Sequence, residues 1–156
     1  MKKAAKLAVL AIIATMPVLA QTKNQSKMEK RIINPWQWQD QRSYVQAVEI
    51  KNAAGTLYCS GQAAVSVDGK SSTGDMKTQL LQAIQNLEKV IGEAGYESKN
   101  IVRLNVLTTS SAEFLACFEI FQEWIARKGI KQATTLVEVK SLFETLKVEL
   151  EATVVK

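Results

Sequence analysis

The segment that most constrains the fold lies near the end of the chain, where apolar and polar residues alternate strictly over residues 147–154 of the predicted strand Lys147–Val155. The alternation places four apolar residues on one side of an extended backbone and four polar residues on the other: Val148, Leu150, Ala152 and Val154 against Lys147, Glu149, Glu151 and Thr153. A period of two residues predicts a β-strand with one buried face. The rest of the chain must therefore supply a layer that covers that face.

Two amphipathic helices precede this strand and can form the covering layer. Apolar residues recur at helical spacing between Met76 and Ile91, with Asp75 or Thr73 as the cap and Gly95 at the end, which predicts a helix over about 75–94. A second helix is predicted over about 111–127, ended by Gly129. Its aromatic residues favour a buried helix face: Phe114, Phe118, Phe121 and Trp124.

Four further strands are predicted at about 44–50, 56–62, 100–109 and 134–139. The short turn before Thr56, which contains Gly55, predicts that the first two of them pair as a hairpin. The resulting order, β-β-α-β-α-β-β, predicts an α+β fold in which a mixed sheet carries both helices on one face. The opposite face is then open, and its polar residues suggest that copies of the chain close it: Arg103, Glu138, Glu149 and Glu151.

The N-terminus has the three-part pattern of a secretory signal peptide. Three lysines precede an apolar run over residues 7–14, and Pro17–Ala20 offers a small-residue cleavage site. We expect cleavage after Ala20, although a retained N-terminal anchor is the alternative. The sequence thus predicts a signal peptide over residues 1–20, a flexible basic tail over 21–32 and one domain over 33–156. It also predicts a periplasmic or secreted protein without membrane contact after cleavage.

Charge and composition exclude several classes of chemistry. Loss of the three lysines of the signal peptide lowers the formal charge from +5 to +2, which gives no reason to expect nucleic-acid binding. The chain has no histidine, so it lacks histidine-based catalytic triads and histidine-containing zinc sites. We expect no metal and no cofactor. Export allows a disulfide between Cys59 and Cys117, but their positions within a strand and a helix favour two buried thiols.

Two motifs of the chain are Val148-Glu149-Leu150-Glu151-Ala152 and Tyr58-Cys59-Ser60-Gly61-Gln62. They resemble the RidA/YjgF family of reactive imine/enamine deaminases, a family also described as endoribonuclease L-PSP, and the resemblance spans about residues 33–155. It implies a chorismate mutase-like α+β fold and a homotrimer with small-molecule sites in the clefts between subunits.

The resemblance also implies roles for individual residues. Glu149 falls on the water-positioning glutamate of the family, Ser60 and Gly61 fall on its ligand-binding serine–glycine pair, and Tyr44 falls on a tyrosine that walls the pocket. From the residues alone, plainer interpretations remain open. Glu149 is equally compatible with a solvated or salt-bridged glutamate, Ser60 with a strand hydroxyl, and Tyr44 with a core aromatic residue.

Three pocket positions depart from the family pattern, all towards lower polarity. Thr134 stands where deaminases of the family carry the arginine that binds the substrate carboxylate, Leu136 replaces a cysteine, and Phe118 replaces an asparagine. A bidentate guanidinium is the natural partner of a carboxylate, so we expect amino-acid-derived 2-iminoacids to bind poorly.

Two hypotheses about function follow. The first is an exported enzyme that hydrolyses or tautomerises a neutral imine, enamine or related carbonyl compound. The second is a non-catalytic trimer with a small-molecule-binding or structural role. Ribonuclease activity, suggested by the older family name, is disfavoured by the export signal and by the absence of histidine and of a basic, aromatic groove. Trp36 and Trp38 either line a ligand entrance or pin the N-terminal arm to a neighbour.

Overall fold

The computed structural model describes residues 27–156, so the predicted signal peptide and residues 21–26 lie outside the described part of the chain. The described part contains six strands and three helices: β1 (Glu29–Ile33), β2 (Ala47–Lys51), β3 (Thr56–Ala63), α1 (Met76–Glu93), β4 (Ile101–Thr108), α2 (Ser111–Ala116), α3 (Phe118–Lys128), β5 (Ala133–Glu138) and β6 (Val148–Val155). Nowhere in residues 27–156 does a helix combine the length and the apolar character that a membrane crossing requires.

The main sheet has four strands in the order β3-β6-β4-β5. β6 runs antiparallel to both β3 and β4, and β5 runs parallel to β4. The mixed sheet is thus confirmed, and the alternating strand β6 lies inside it. Val148, Leu150 and Val154 are fully buried, whereas Glu149 and Glu151 lie on the opposite face.

All three helices pack on one face of this sheet, as the sequence predicts. The core joins Leu80 and Leu87 of α1 and Phe114 of α2 to Leu104 and Leu150 of the sheet, all of them fully buried. The predicted ends of the first helix are also confirmed. Asp75 accepts a hydrogen bond from the Thr78 N–H at 2.8 Å, and the chain leaves α1 through Gly95 at a φ of 72°.

The predicted hairpin between the first two strands is wrong. β2 pairs with β1 in a separate two-stranded antiparallel sheet, and β3 pairs with β6 at the edge of the main sheet. β1 begins at Glu29, within residues 21–32, so the part of that segment from Glu29 onward is a strand and not a flexible tail. Alternation marks a segment as a strand but does not choose its partner, because pairing depends on contacts that are distant in sequence.

The second helix is interrupted once, which the sequence did not predict. α2 ends at Ala116 and α3 begins at Phe118, and Cys117 between them has a φ of −119° and a ψ of 23°. Cys59 and Cys117 are both buried free thiols, in agreement with their interpretation as small apolar side chains. The aromatic residues of the two helices meet across the break: the Phe114 ring lies edge-on to Phe118 at 5.9 Å and to Phe121 at 5.8 Å.

One polar residue lies on the other side of the sheet from its predicted place. Glu138 accepts a hydrogen bond from the Ser111 N–H at 2.8 Å, at the N-terminus of α2. It therefore lies on the helix side of β5 and not on the open face. The interaction with the N-terminus of a helix favours the ionised form, and the pKa of Glu138 is accordingly lowered.

A buried glutamine fixes the point where β6 begins. Gln79 of α1 is fully buried and donates to the carbonyl oxygens of Ser72, Gly74 and Thr145 at 3.0–3.2 Å. Its side-chain oxygen accepts from the Lys147 N–H at 2.8 Å. Since all of its polar groups are paired, Gln79 ties α1 rigidly to the start of β6, two residues before Glu149.

Candidate functional site

The seven predicted site residues do not converge in one chain. Tyr44, Phe118, Thr134 and Leu136 line one cavity, which we call the aromatic cavity. Gly61 and Glu149 line a different one, which we call the glutamate cavity. Ser60 is exposed beside Gly61 and lines neither of the two. One chain therefore presents two halves of the predicted site on separate surfaces.

A β-bulge brings Gly61 against Glu149. On β3, Cys59 pairs with Ala152 and Gln62 pairs with Leu150, so Ser60 and Gly61 together oppose the single residue Glu151 of β6. Bulges of this kind re-aim side chains and are frequent beside active sites. A Cβ atom added to Gly61 would overlap the carboxylate of Glu149. Only glycine at this position allows the carboxylate to lie against the backbone of β3.

The environment of Glu149 favours its protonated form. Partial burial raises the pKa of the Glu149 carboxyl group, and the neighbouring negative charge of Glu151 raises it further. A carboxyl group with a raised pKa exchanges protons more readily near neutral pH than an ordinary one. This property suits a general acid or base.

The glutamate cavity, about 420 Å³ in volume, is open and partly apolar. Asn86 of α1 donates to the carbonyl oxygens of Ala63 and Val65 at 2.8 and 2.9 Å and so holds the chain that leaves β3. Phe143 also lines this cavity, with 69% of its surface exposed. Phe143 thus gives this cavity an exposed apolar wall beside the Glu149 carboxylate.

The aromatic cavity lies between the edge strand β5 and the helices α2 and α3, and its volume is about 510 Å³. Val106, Phe114 and Phe121 form its buried end. The Phe118 ring stacks on Phe121 with centroids 5.7 Å apart and meets Phe114 edge-on at 5.9 Å. Its size and lining are those of a pocket for a small, largely apolar molecule.

Thr134 is held by a neighbouring glutamine. Gln132, which is fully buried, donates from one amide nitrogen to the Thr134 hydroxyl at 3.0 Å and to the Ser43 carbonyl oxygen at 2.9 Å. The first bond orients the only polar side chain that β5 contributes to the cavity. The second fixes the backbone just before Tyr44.

The structure adds one residue that the sequence did not reveal. Arg42, in a short 3-10 turn over Asp40–Arg42, lines the aromatic cavity, and its guanidinium lies over the Trp38 ring at 5.4 Å. The replacement of the family arginine by Thr134 therefore does not leave this cavity without a cation. No motif marks Arg42, because it comes from a loop and reaches the cavity only through the tertiary fold.

Comparisons with known proteins identify the family to which this α+β architecture belongs. The family model described as "Endoribonuclease L-PSP" matches residues 38–156. A RutC family protein of Aquifex aeolicus is 31% identical over 113 residues, which cover 72% of this chain and 88% of that protein. A protein of Dermatophagoides farinae named 2-iminobutanoate/2-iminopropanoate deaminase is 30% identical over 128 residues, which cover 81% and 96%.

Solved structures show the same fold. A protein of unknown function of the Rid family from Yersinia pestis superimposes with a TM-score of 0.73 at 26% identity, over 81% of this chain and 98% of that one. The YjgF gene product of E. coli gives a TM-score of 0.60 at 26% identity, over 72% and 87%. The chain therefore belongs to the RidA/YjgF family, as its motifs suggested.

Proposed function

We propose that this protein is an exported homotrimer with a small-molecule cleft between neighbouring subunits, where it hydrolyses or tautomerises a neutral imine, enamine or related carbonyl group. The observation that carries the proposal is the contact between Glu149 and Gly61. A carboxyl group of raised pKa thus lies partly exposed against the backbone of β3, where it would serve as a general acid–base catalyst.

Trimer formation explains why the site is divided. The aromatic cavity of one subunit would bind the apolar part of the ligand, and the glutamate cavity of its neighbour would supply Glu149. Ser60 is exposed beside Gly61. In such a cleft, the Ser60 hydroxyl and the Gly61 N–H would polarise the ligand. The resemblance to the family and the open sheet face both support this arrangement.

Hydrolysis needs few groups from the protein. The Glu149 carboxylate takes a proton from water while the water oxygen bonds to the imine carbon, and the π electrons of the C=N bond move to nitrogen. Glu149 then returns this proton to nitrogen, which gives a carbinolamine. The same carboxyl group next carries the remaining hydroxyl proton to nitrogen while the C=O bond forms and the C–N bond breaks, and a carbonyl compound and an amine leave. In a tautomerisation, the same carboxyl group moves a proton between carbon and nitrogen.

The proposed substrate is not an amino-acid-derived 2-iminoacid. Thr134 offers one neutral hydroxyl where the deaminases of the family have a guanidinium. A hydrogen bond between neutral groups contributes about 1 kcal/mol, against roughly 1.5–3 kcal/mol for one to a charged group. Leu136 and Phe118 make the same region apolar.

The test is turnover of a neutral aromatic imine, N-benzylidenemethylamine, followed by its absorbance. We expect catalysis by the wild-type protein, loss of catalysis in Glu149→Gln, and normal catalysis in Glu123→Gln, which alters an exposed glutamate of α3. Size-exclusion chromatography checks that each variant keeps its assembly. Normal turnover by Glu149→Gln would remove this residue from the mechanism.

A coupled assay of ammonia release from 2-iminopropanoate tests the specificity. We expect no acceleration by the wild-type protein and a gain of activity in Thr134→Arg. Efficient wild-type turnover would contradict the proposed specificity.

The second candidate function is a binding or structural trimer that has no turnover. The observation that favours it is the joint change at Phe118, Thr134 and Leu136, which remodels the cavity that would hold a substrate. Ligand binding without catalysis of any imine would support it.

Export is a separate part of the proposal, supported by the basic residues, apolar run and cleavage site of residues 1–20. Cell fractionation tests it. We expect the protein outside the cytoplasm with an N-terminus at Gln21.

A further inference from the structure

We propose that Arg42 is the anion-binding residue of the aromatic cavity, so that a ligand with an apolar body binds there more tightly when it also carries one carboxylate, while an uncharged ligand still binds. The inference rests on the proposed function in one respect, which is that the aromatic cavity forms the ligand-binding half of the cleft. It goes further by naming a residue and a ligand class.

The guanidinium of Arg42 is available to a ligand. Within residues 27–156, no carboxylate forms an ion pair with Arg42 and no acceptor takes a hydrogen bond from its side chain. Its contact is with the face of Trp38, at 5.4 Å from the ring centroid. Stacking on the Trp38 ring fixes the orientation of the Arg42 guanidinium group. The N–H groups at the edge of the guanidinium plane can still donate hydrogen bonds to a ligand.

The backbone that carries Arg42 is anchored on both sides. The Gln41 carbonyl oxygen accepts a hydrogen bond from the Gln122 side chain of α3 at 2.8 Å. The Ser43 carbonyl oxygen accepts one from the buried Gln132 at 2.9 Å. Arg42 therefore sits on a segment fixed to both α3 and the start of β5, so a ligand would find the cation already in place.

The remaining lining defines the rest of the ligand. Apart from Arg42, the cavity offers the hydroxyl groups of Tyr44 and Thr134, and its other lining side chains are apolar. The Thr134 oxygen already accepts from Gln132, which leaves its proton free to donate to a second ligand acceptor. A ligand with an aromatic or branched aliphatic body, one carboxylate at Arg42 and one acceptor near Thr134 fits this chemistry.

The position of the cation also separates this ligand class from 2-iminoacids. Arg42 is exposed and belongs to the loop before β2, whereas Thr134 belongs to β5. In a 2-iminoacid the carboxylate is bonded directly to the imine carbon, so binding at Arg42 would keep that carbon at the exposed side of the cavity. An acid with an apolar spacer can instead bind at Arg42 with its reactive group at a distance from the guanidinium.

The test compares two isosteric probes, phenylacetate and phenylacetamide, by isothermal titration calorimetry on the wild-type protein and three variants. Arg42→Gln removes the cation, Arg42→Lys retains the charge without the planar fork, and Arg127→Gln removes an equal charge from an exposed site of α3 outside the cavity. We expect wild-type protein to prefer phenylacetate, and Arg42→Gln to lose at least about tenfold in affinity for it with no change for phenylacetamide. Arg42→Lys should fall between the two, and Arg127→Gln should match the wild type.

Three results would overturn the inference: equal phenylacetate affinity in Arg42→Gln and wild type, an equal loss in Arg127→Gln, or wild-type protein that binds neither probe. Size-exclusion chromatography of every variant shows whether assembly is retained. Calorimetry measures binding and not catalysis, so this test is independent of the turnover assay. If the protein binds phenylacetate through Arg42 but does not turn over the imine, the proposed reaction is refuted and the role of Arg42 in binding still holds.

Discussion

At the scale of single residues, Glu149 is held in an environment that opposes its charge. Burial, followed by the charge of Glu151, raises its pKa, so ionisation costs more in the folded protein than in the unfolded chain. Catalytic groups often carry such a cost, because the same environment that destabilises them also makes them effective in proton transfer.

The sign of this effect gives a prediction about stability. Above its raised folded-state pKa, Glu149 is ionised in both states and lowers the free energy of unfolding. Below the ordinary pKa of glutamate it is protonated in both states, and the penalty vanishes. Glu149→Gln should therefore have a higher Tm than wild type at pH 7. The difference should shrink as the pH falls through the raised pKa of Glu149 and vanish below about 4.3, the ordinary pKa of glutamate.

Thermal denaturation from pH 3.5 to pH 7.5 measures this difference. Glu123→Gln on the exposed side of α3 serves as the control and should follow the wild type. A lower Tm of Glu149→Gln at pH 7, or a difference independent of pH, would show that Glu149 does not bear this cost.

At the scale of elements, the β-bulge of β3 and the carboxylate of β6 form one unit. The bulge leaves Ser60 and Gly61 opposite a single residue of β6, and the Glu149 side chain occupies the space above Gly61. A methyl group at Gly61 must therefore displace the carboxylate, whose side chain is free to rotate away.

Gly61→Ala should thus remove catalysis about as completely as Glu149→Gln, with only a modest loss of stability. Gly92→Ala is the matched control, because no atom lies within 4 Å of its added Cβ and Gly92 belongs to α1. It should keep catalysis and gain about 1 kcal/mol, since alanine favours helix over glycine. Turnover assays and chemical denaturation of both variants measure the two effects. Undiminished turnover by Gly61→Ala would show that the position of the carboxylate is not critical.

The elements also show which features are predictable from sequence. The ends of α1 follow from Asp75 and Gly95, and the buried face of β6 follows from its alternation, because both signals are local. The pairing of β2 with β1 and the break at Cys117 have no such local signal, since they depend on packing between distant segments.

The same reasoning applies to the site. Glu149, Gly61 and Thr134 are recognisable because they lie in strand motifs, whereas Arg42 lies in a loop and reaches the cavity through hydrogen bonds to α3 and to Gln132. Their division between two cavities could not be predicted either, because a motif gives the role of a residue and not the chain that completes its site.

At the scale of the whole molecule, the face of the main sheet that carries no helix has exposed apolar side chains. Val137 and Tyr58 are 45% and 79% exposed there. A polar network lies between them: Arg103 donates to Thr135 at 2.7 Å and to Asn105 at 3.0 Å, and Asn105 donates to Glu151 at 3.2 Å. Ordered polar groups and exposed apolar groups on one sheet face are typical of an interface between subunits.

The assembly can be tested with a charge placed on that face. Leu107 of β4 pairs with Val137 on one side and with Glu149 on the other. Since paired residues point to the same face of a sheet, Val137→Asp adds a carboxylate to the face that carries Glu149. Burial of this charge between subunits would be unfavourable, so the variant should dissociate to monomers. Leu81→Asp, on the exposed side of α1, should remain a trimer.

Sedimentation equilibrium measures the masses of both variants, and circular dichroism checks that the monomers are folded. Loss of imine turnover together with the trimer would locate catalysis between subunits, whereas a monomeric Val137→Asp with full activity would mean that one chain contains a complete site.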